Sequence, residues 1–577
     1  MLSFISGLVL LVLSGGWSSD HVRQEQQSAR KSPQIGPGKE ISAEPVKCMT
    51  PYILLQEEDP GRTDPALSEE PGKTVPADML QDLELYYSKS GRFRIEYLTS
   101  GFSAVPAEDL TGTGVPDFVE WTADYADYAF ERQVVDMGFV DPTRNHGEEC
   151  GNRSGAWQDT VITIRYRSFN AYGEFNPNTP FQFTVHNNFE GFPENTDPDG
   201  NVKGALKATV AHELKHVIQY ATNCLQGDAG SFDWVEMDAT MMENVVFPEV
   251  NDYYNYIGGT SGIFGNPRRS TPVAYSHVTW SLFYAEELGI DFWVDTWEII
   301  RDEPLSPMIR AMRMAMADDS YNNNRAQDMP VRTESGDFLT LFIRNHLWHA
   351  ASGARTSPDY GFSESVDYPD ASVTENRGPV PEPYTGTGSL DRLSATYSMF
   401  YPASSQTGNL QITAEHGSGN MGVGVLAYKE DGSTAEWLIP SGSETTTGAV
   451  SPFLASNTDS FLVALVNADP EQALNYEVEL SIKTVPEEFA LESNYPNPFS
   501  TSGNPGTNIV FLLPEREHVT ITVYDAAGRK VAVLFDDEAD PGRHVVSFEP
   551  RNLASGVYIY RVHAGPVRKS GKMTFIR

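Results

Sequence analysis

Apolar residues recur at three- and four-residue steps through Leu206, Val210, Leu214, Val217 and Ala221, the stripe of a helix packed along one side. A second helical pattern follows over Phe232–Glu243, and helical patterns separated by loops run from Val273 to Ala351. Ahead of them Arg92–Tyr97 alternates apolar and polar positions, and Val161–Tyr166 and Phe181–His186 also read as strands. Phe118–Met137 reads as a helix between these strands. From Ser389 to Val485 the character changes to short alternating runs, such as Gly422–Tyr428 and Ser460–Val466, separated by Gly, Ser, Asp and Asn. Strands at that spacing predict a β-sandwich. From Glu487 a further set of short strands with turn glycines predicts a second one. The expected fold class is multidomain: an α+β domain over 49–380, then two all-β sandwich domains over 381–485 and 486–577.

The first 48 residues fit neither class. Residues 1–19 hold a short apolar run followed by small residues, which reads as a secretory signal peptide without a basic start. Residues 20–48 read as a disordered linker or propeptide, and Glu57–Pro76 has a similar polar composition. No later stretch reaches transmembrane length. The formal charge of −38 over 577 residues argues against nucleic acid as a partner, because phosphates would be repelled. Three cysteines, Cys48, Cys150 and Cys224, are too few for a disulfide framework. Cys150 and Cys224 can pair with Cys48 left over, and the other pairings are equally allowed. None of the three has a local signature of catalytic cysteine chemistry.

The helix over Leu206–Ala221 carries His212-Glu213-Leu214-Lys215-His216, an H-E-x-x-H motif. Histidines four apart lie on one helical face and can share one zinc ion, while Glu213, rotated about 100° from His212, sits beside the metal as a candidate general base. Glu236 follows His216 by twenty residues on the next helical pattern. The arrangement resembles the glutamate-type zinc peptidases, and the resemblance implies that Glu236 is the third zinc ligand. Those enzymes carry an Asp four residues after that glutamate; here Thr240 stands there, so Asp238, Thr240 and Glu243 are the candidates to orient His212. The resemblance also implies an edge strand for substrate ahead of the motif helix, for which Phe181–Asn187 is the candidate. Tyr253, Tyr254, Tyr256 and His277 are candidate donors to the oxyanion. His346 and His349 lie three apart without an evident third ligand.

Asp109–Glu120 is a possible calcium loop. Oxygen donors from Asp109, Thr111, Thr113, Asp117 and Glu120, with the Val115 carbonyl and Gly114 at the turn, match the spacing of a twelve-residue cation loop. A plain Asx turn capping a helix fits the same residues, and two threonines replace the usual acids.

Two further resemblances concern the whole chain. Asn494-Tyr-Pro-Asn-Pro-Phe499, Thr507–Pro514, Val519–Val531 and Leu553–Tyr560 resemble the C-terminal sorting domain of the bacterial type IX secretion system. That implies Sec export, passage across an outer membrane, and the secretion machinery as a partner. The blocks Gly114–Glu120, Val210–Gln219, Trp234–Thr240 and Leu347–Arg355 resemble a family of secreted bacterial metallopeptidases known mainly by its motif. Together they imply a zincin-like metallopeptidase domain acting on protein or peptide, secreted or held at the cell surface. A binding or adhesion protein on a peptidase fold that has lost activity is the alternative.

Overall fold

The computed structural model describes residues 46–48, 82–144, 161–260, 262–317, 338–377, 380, 383–402, 409–417, 420–440, 445–450, 458–483, 488–500, 506–539, 541–550 and 553–577. The expected signal peptide, the polar stretch 57–76 and Cys150 lie outside these residues.

A six-stranded sheet forms the first layer: β1 (Val46–Cys48), β2 (Leu83–Tyr87), β3 (Phe93–Leu98), β4 (Ile162–Arg167), β5 (Ala171–Phe175) and β6 (Gln182–His186), in the order β1-β5-β6-β4-β3-β2. In β3 the buried residues Phe93, Ile95 and Tyr97 alternate with half-buried Arg94, Glu96 and Leu98, which is the period-two pattern that marks it as a strand. Strands β3, β4 and β6 run parallel, β5 is antiparallel to β6, and β1 is parallel to β5. The segment expected to be a linker to residue 48 therefore ends inside this sheet. Strand β6 is paired on both sides, so the expected substrate edge at Phe181–Asn187 is not an edge. The outer strand of the sheet proper is β5, and β1 covers it.

Helices pack on the sheet. Helix α1 (Asp117–Phe130) continues as a π-helical turn over Glu131–Asp136, where buried Gln133 donates to the Ala211 carbonyl at 2.9 Å. That carbonyl belongs to α2 (Asn201–Asn223), whose residues Gly204–Asn223 are all buried. The apolar stripe marks one side of α2, but neighbours cover its polar side too, as in a helix at the centre of a domain. Gly204 allows this approach: a Cβ there would lie 2.1 Å from Asn195 Oδ1. Helix α2 ends at Cys224, which takes a left-handed φ of 60°. Helix α3 (Phe232–Val246) packs on α2, followed by α4 (Val278–Leu288), α5 (Asp291–Asp302), α6 (Met308–Ala317) and α7 (Phe338–Ala350).

A two-sheet region follows, with sheets β13-β10-β15-β8 and β12-β11-β14-β9-β7. Its strands are β7 (Thr374–Asn376), β8 (Tyr384–Leu390), β9 (Ser394–Phe400), β10 (Asn409–His416), β11 (Met421–Lys429), β12 (Thr434–Pro440), β13 (Thr445–Val450), β14 (Thr458–Asn467) and β15 (Leu474–Lys483). It recruits β7 from upstream of residue 381. Strand β11 is buried on both faces because α7 covers its outer side. Ile343 and Leu347 of α7 fit over Gly422 and Gly424, where a Cβ would lie 2.4 Å from Ile343 Cδ1 and 2.7 Å from Ile343 Cγ2. Arg344 bridges Glu287 at 2.6 Å and Glu436 at 2.8 Å across the same junction. His346 and His349 serve this packing: His346 Nδ1 bonds Tyr397 Oη at 2.7 Å, and His349 bonds the Asn345 carbonyl at 2.8 Å and Thr279 Oγ1 at 2.9 Å.

The last region has its own apolar core, including Phe499, Ile521, Tyr560 and Phe575. It is built from a three-stranded sheet β16-β18-β21 and a five-stranded sheet β17-β23-β22-β19-β20. These strands are β16 (Ala490–Leu491), β17 (Phe499–Ser500), β18 (Thr507–Leu513), β19 (Glu517–Asp525), β20 (Lys530–Ala539), β21 (Gly542–Phe548), β22 (Gly556–Ala564) and β23 (Val567–Ile576). The molecule is thus multidomain, with a helical α+β part followed by β-sheet regions.

Candidate metal centre

Helices α2 and α3 bring three sequence-expected ligands together. His212 Nε2 lies 3.1 Å from His216 Nε2 and 3.1 Å from Glu236 Oε2, and His216 Nε2 lies 3.2 Å from Glu236 Oε1. A fourth group joins them from the sheet: Cys48 Sγ is 3.7 Å from His216 Nε2, and one ligand atom from each of the four residues falls within 4.8 Å of the others. All four side chains are buried.

The far side of each imidazole fixes its tautomer. His212 Nδ1 faces Glu243 Oε1 at 2.8 Å, and His216 Nδ1 faces Gln219 Oε1 at 2.9 Å. Gln219 in turn donates through Nε2 to the Val235 carbonyl at 3.0 Å and to Asp238 Oδ2 at 2.8 Å, which fixes the orientation of its amide. Both Nδ1 atoms face acceptors, so each donates there and each Nε2 turns a lone pair inward. Two nitrogen lone pairs and a carboxylate then converge on one buried point, an arrangement that a bound cation would satisfy. A tetrahedral zinc site has nitrogens about 3.3 Å apart and nitrogen and sulfur about 3.6 Å apart, given bonds near 2.05 and 2.3 Å. The separations found here fit that donor set. The same field acts on protons: burial works against charge on His212, but Glu236 and Glu243 outweigh it and push its pKa to about 10. Burial would raise Glu236, yet His216 and His212 hold it at about 2.

Of the residues expected to orient His212, Glu243 does so. Thr240 donates to the Glu236 carbonyl at 2.8 Å, and Asp238 holds Gln219 and Lys215. Gln219 carries no sequence signal beyond its place three residues after His216, and it was not expected.

Glu213 points from α2 toward β5. It is fully buried, with the Cys48 side chain beside its carboxyl group. Burial pushes its carboxyl up to about 7, opposed by His212 and His216. The space it fills exists because residue 173 is glycine: a Cβ there would lie 2.3 Å from Glu213 Oε1.

Beside the ligands lies a second buried cluster. Lys47 Nζ is 2.8 Å from Glu243 Oε2 and is paired with Asp252. It also stands over the Tyr172 ring at 4.3 Å and the Tyr256 ring at 5.4 Å. Among the four residues expected to assist an oxyanion, Tyr256 alone borders this cluster through Lys47. Tyr253 bonds Glu364 at 2.6 Å and Tyr368 at 2.9 Å, Tyr254 packs against the Tyr253 and Tyr368 rings, and His277 Nδ1 faces Thr271 Oγ1 at 3.2 Å. Lys47, Cys48, Tyr172 and Asp252 were all missed. The one available sequence signal was the odd cysteine of an exported chain, which is a recognised mark of a reactive thiol. Cys48 is a thiol, whereas Cys224 takes part in a disulfide.

The loop at Asp109–Glu120 folds as an Asx turn. Asp109 accepts the N–H groups of Gly112, Thr113 and Gly114 at 2.7, 3.1 and 2.9 Å, and these hold its carboxyl below the usual range, Gly114 foremost. Thr111 Oγ1 donates to Glu120 Oε2 at 2.9 Å. Asp117 is buried and caps Leu110 N at 3.0 Å, while the Val115 carbonyl lies 3.5 Å from Thr113 Oγ1.

Comparison with known proteins bears on the end of the chain. Residues 493–575 match the secretion system C-terminal sorting domain. The protein is therefore exported across the outer membrane, to the medium or the cell surface, and interacts with the type IX secretion machinery. Among the described residues no helix is long and apolar enough to cross a membrane. No curated protein matches. Solved structures align weakly. The periplasmic g-type lysozyme inhibitor PliG of Aeromonas hydrophila aligns at 13% identity over 19% of this chain and 96% of its own, with a TM-score of 0.15. PorZ, a surface component of the type IX secretion system of Porphyromonas gingivalis, aligns at 16% identity over 25% of this chain and 21% of its own, with a TM-score of 0.14. A β-glucuronidase of Ruminococcus gnavus aligns at 10% identity over 33% of this chain and 36% of its own, with a TM-score of 0.12. Likeness at that level carries no argument about this chain.

Proposed function

We propose that the protein is a secreted zinc-dependent endopeptidase with a zincin-like catalytic domain. One observation carries the reading: His212, His216 and Glu236 aim three ligand atoms at one buried point, with the Glu213 carboxylate on the adjoining turn. Zinc bound there supplies a Lewis acid that polarises the scissile carbonyl. Glu213 takes a proton from the attacking water and hands it to the departing amine. Glu243 and Gln219 hold the imidazoles so that their Nε2 atoms face the metal. Strand β5 offers backbone groups to an extended substrate only where β1 leaves its edge, and Gly173 keeps its side near Glu213 clear. Calcium at Asp109–Glu120 is a second, structural part of the proposal, supported by the oxygens that Asp109, Thr111 and Glu120 bring together.

A different reading, a binding protein with a structural metal, draws on Cys48. Four protein ligands make a closed set, as in structural zinc sites. Elemental analysis of the purified chain, with casein hydrolysis by the Cys48→Ala chain before and after chelation, separates the two. One equivalent of zinc and chelator-sensitive hydrolysis support the peptidase; zinc without hydrolysis supports the binding protein.

A further inference from the structure

We propose that the Val46–Cys48 strand is a built-in occupant of the substrate cleft: Cys48 caps the metal, and Lys47 fills a subsite that otherwise takes a lysine or arginine side chain of the substrate beside the scissile bond. The proposal rests on the metallopeptidase reading above. Three observations carry it.

First, β1 is an added strand. Among the described residues it pairs only with β5, with Val46 opposite Ala171 and Cys48 opposite Gly173, the residue that faces Glu213. An extended peptide that augments this sheet beside the general base has to use the same edge. Second, the strand delivers a sulfur ligand to a point already served by three others, 168 residues from His216. Three protein ligands leave a catalytic zinc its working position, and the fourth closes it. Third, Lys47 sits in a pocket suited to a cation. Glu243 and Asp252 pair with its ammonium, buried Tyr172 and half-buried Tyr256 present ring faces, and both carboxylates are buried. Once the strand leaves, two buried carboxylates remain with no lysine between them, and the incoming peptide must supply the positive charge.

Release involves no change of oxidation state. The metal–sulfur bond breaks, sulfur keeps the electron pair and takes a proton from solvent, and the ligand position passes to the substrate. Glu243 links the two halves of the site, since one oxygen orients His212 and the other binds Lys47.

The test uses the full chain loaded with cobalt or zinc. The wild type should show a sulfur-to-cobalt charge-transfer band and a zinc–sulfur distance of about 2.3 Å by X-ray absorption. Cys48→Ala should lose both and keep one equivalent of metal. The Lys47→Ala/Cys48→Ala chain should hydrolyse a peptide library with a roughly tenfold or greater preference for Lys or Arg next to the cut bond over uncharged residues of similar size. Adding Asp252→Asn should reduce that preference. Absence of a sulfur signal in the wild type overturns the cap, and hydrolysis without basic preference overturns the subsite. A sulfur signal lost in Cys48→Ala, with metal retained and no hydrolysis in any variant, overturns the peptidase reading while leaving Cys48 as a ligand.

Discussion

Glu243 is the most informative residue to perturb, because its two oxygens do different work. Oε1 accepts from His212 Nδ1 at 2.8 Å, and Oε2 binds Lys47 at 2.8 Å, in a site with almost no solvent. Glu243→Ala removes the anchor that turns His212 Nε2 toward the metal. Loss of such a partner typically costs 10- to 100-fold in metal affinity, which corresponds to about 1.4–2.7 kcal/mol. Glu243→Gln keeps an acceptor for Nδ1 but loses the charge, so its loss should fall at the low end, near tenfold. Asp238→Ala acts one step further out, through Gln219, and should cost less than Glu243→Ala. Zinc affinity measured by competition with a calibrated chelator reads all three, with near-ultraviolet circular dichroism as a check on folding. A Glu243→Ala chain that folds and binds zinc as tightly as the wild type would refute the assignment of Glu243 to His212.

Three other expectations follow from the same structure. His186 is buried and its Nδ1 accepts the Phe189 N–H at 2.9 Å, and burial depresses its pKa from 6.5 to about 4. The folded state therefore binds fewer protons than the unfolded one between these values. Its contribution is fully present above pH 6.5 and fades as pH falls toward 4. His186→Asn, which keeps an acceptor at the δ position, should flatten that part of the urea-unfolding profile, and an unchanged slope would count against it. Calcium should raise the melting temperature by selective binding to the folded state, and Asp109→Ala with Glu120→Ala should abolish that rise; an identical rise in the double variant leaves the loop an ordinary turn. A chain ending at residue 485 should fold and, once activated, cleave in vitro but accumulate in the periplasm of its own host; normal secretion of that chain would contradict the sorting assignment.

How much of this was legible varies with the distance over which the contacts act. The motif helix announced itself because the ligand spacing and the apolar spacing share the helical period, and Glu236 came from the resemblance to glutamate-type zinc peptidases, which take a ligand from the next helix. Glu243 stood among three candidates since residues 238, 240 and 243 differ only in which way they face on α3, and packing decides that. Gln219 was invisible because its role depends on an amide orientation set by Val235 and Asp238. The substrate edge was misread at β6: an apolar strand ahead of the helix looks the same whether it is central or outer, and only the return of β5 alongside it shows that β6 is interior. Lys47 gave no signal, and Cys48 only that of an odd number of cysteines. A three-residue strand has no periodicity to detect, and its partners lie more than a hundred residues away, so it read as the end of a polar linker. The sandwich was visible as a type, but its intimate contact with α7 was not, because glycines at 422 and 424 also occur in strands that merely bend.

The central claim is that Glu213 acts as the base beside a metal held by His212, His216 and Glu236. Its most direct test is Glu213→Gln in the Lys47→Ala/Cys48→Ala chain, with zinc content and peptide hydrolysis measured on the same sample. The amide fits where the carboxylate stood and leaves the three ligands intact. Full zinc with hydrolysis lowered roughly 10²- to 10⁴-fold is the expected result. Full zinc with undiminished hydrolysis would contradict the account.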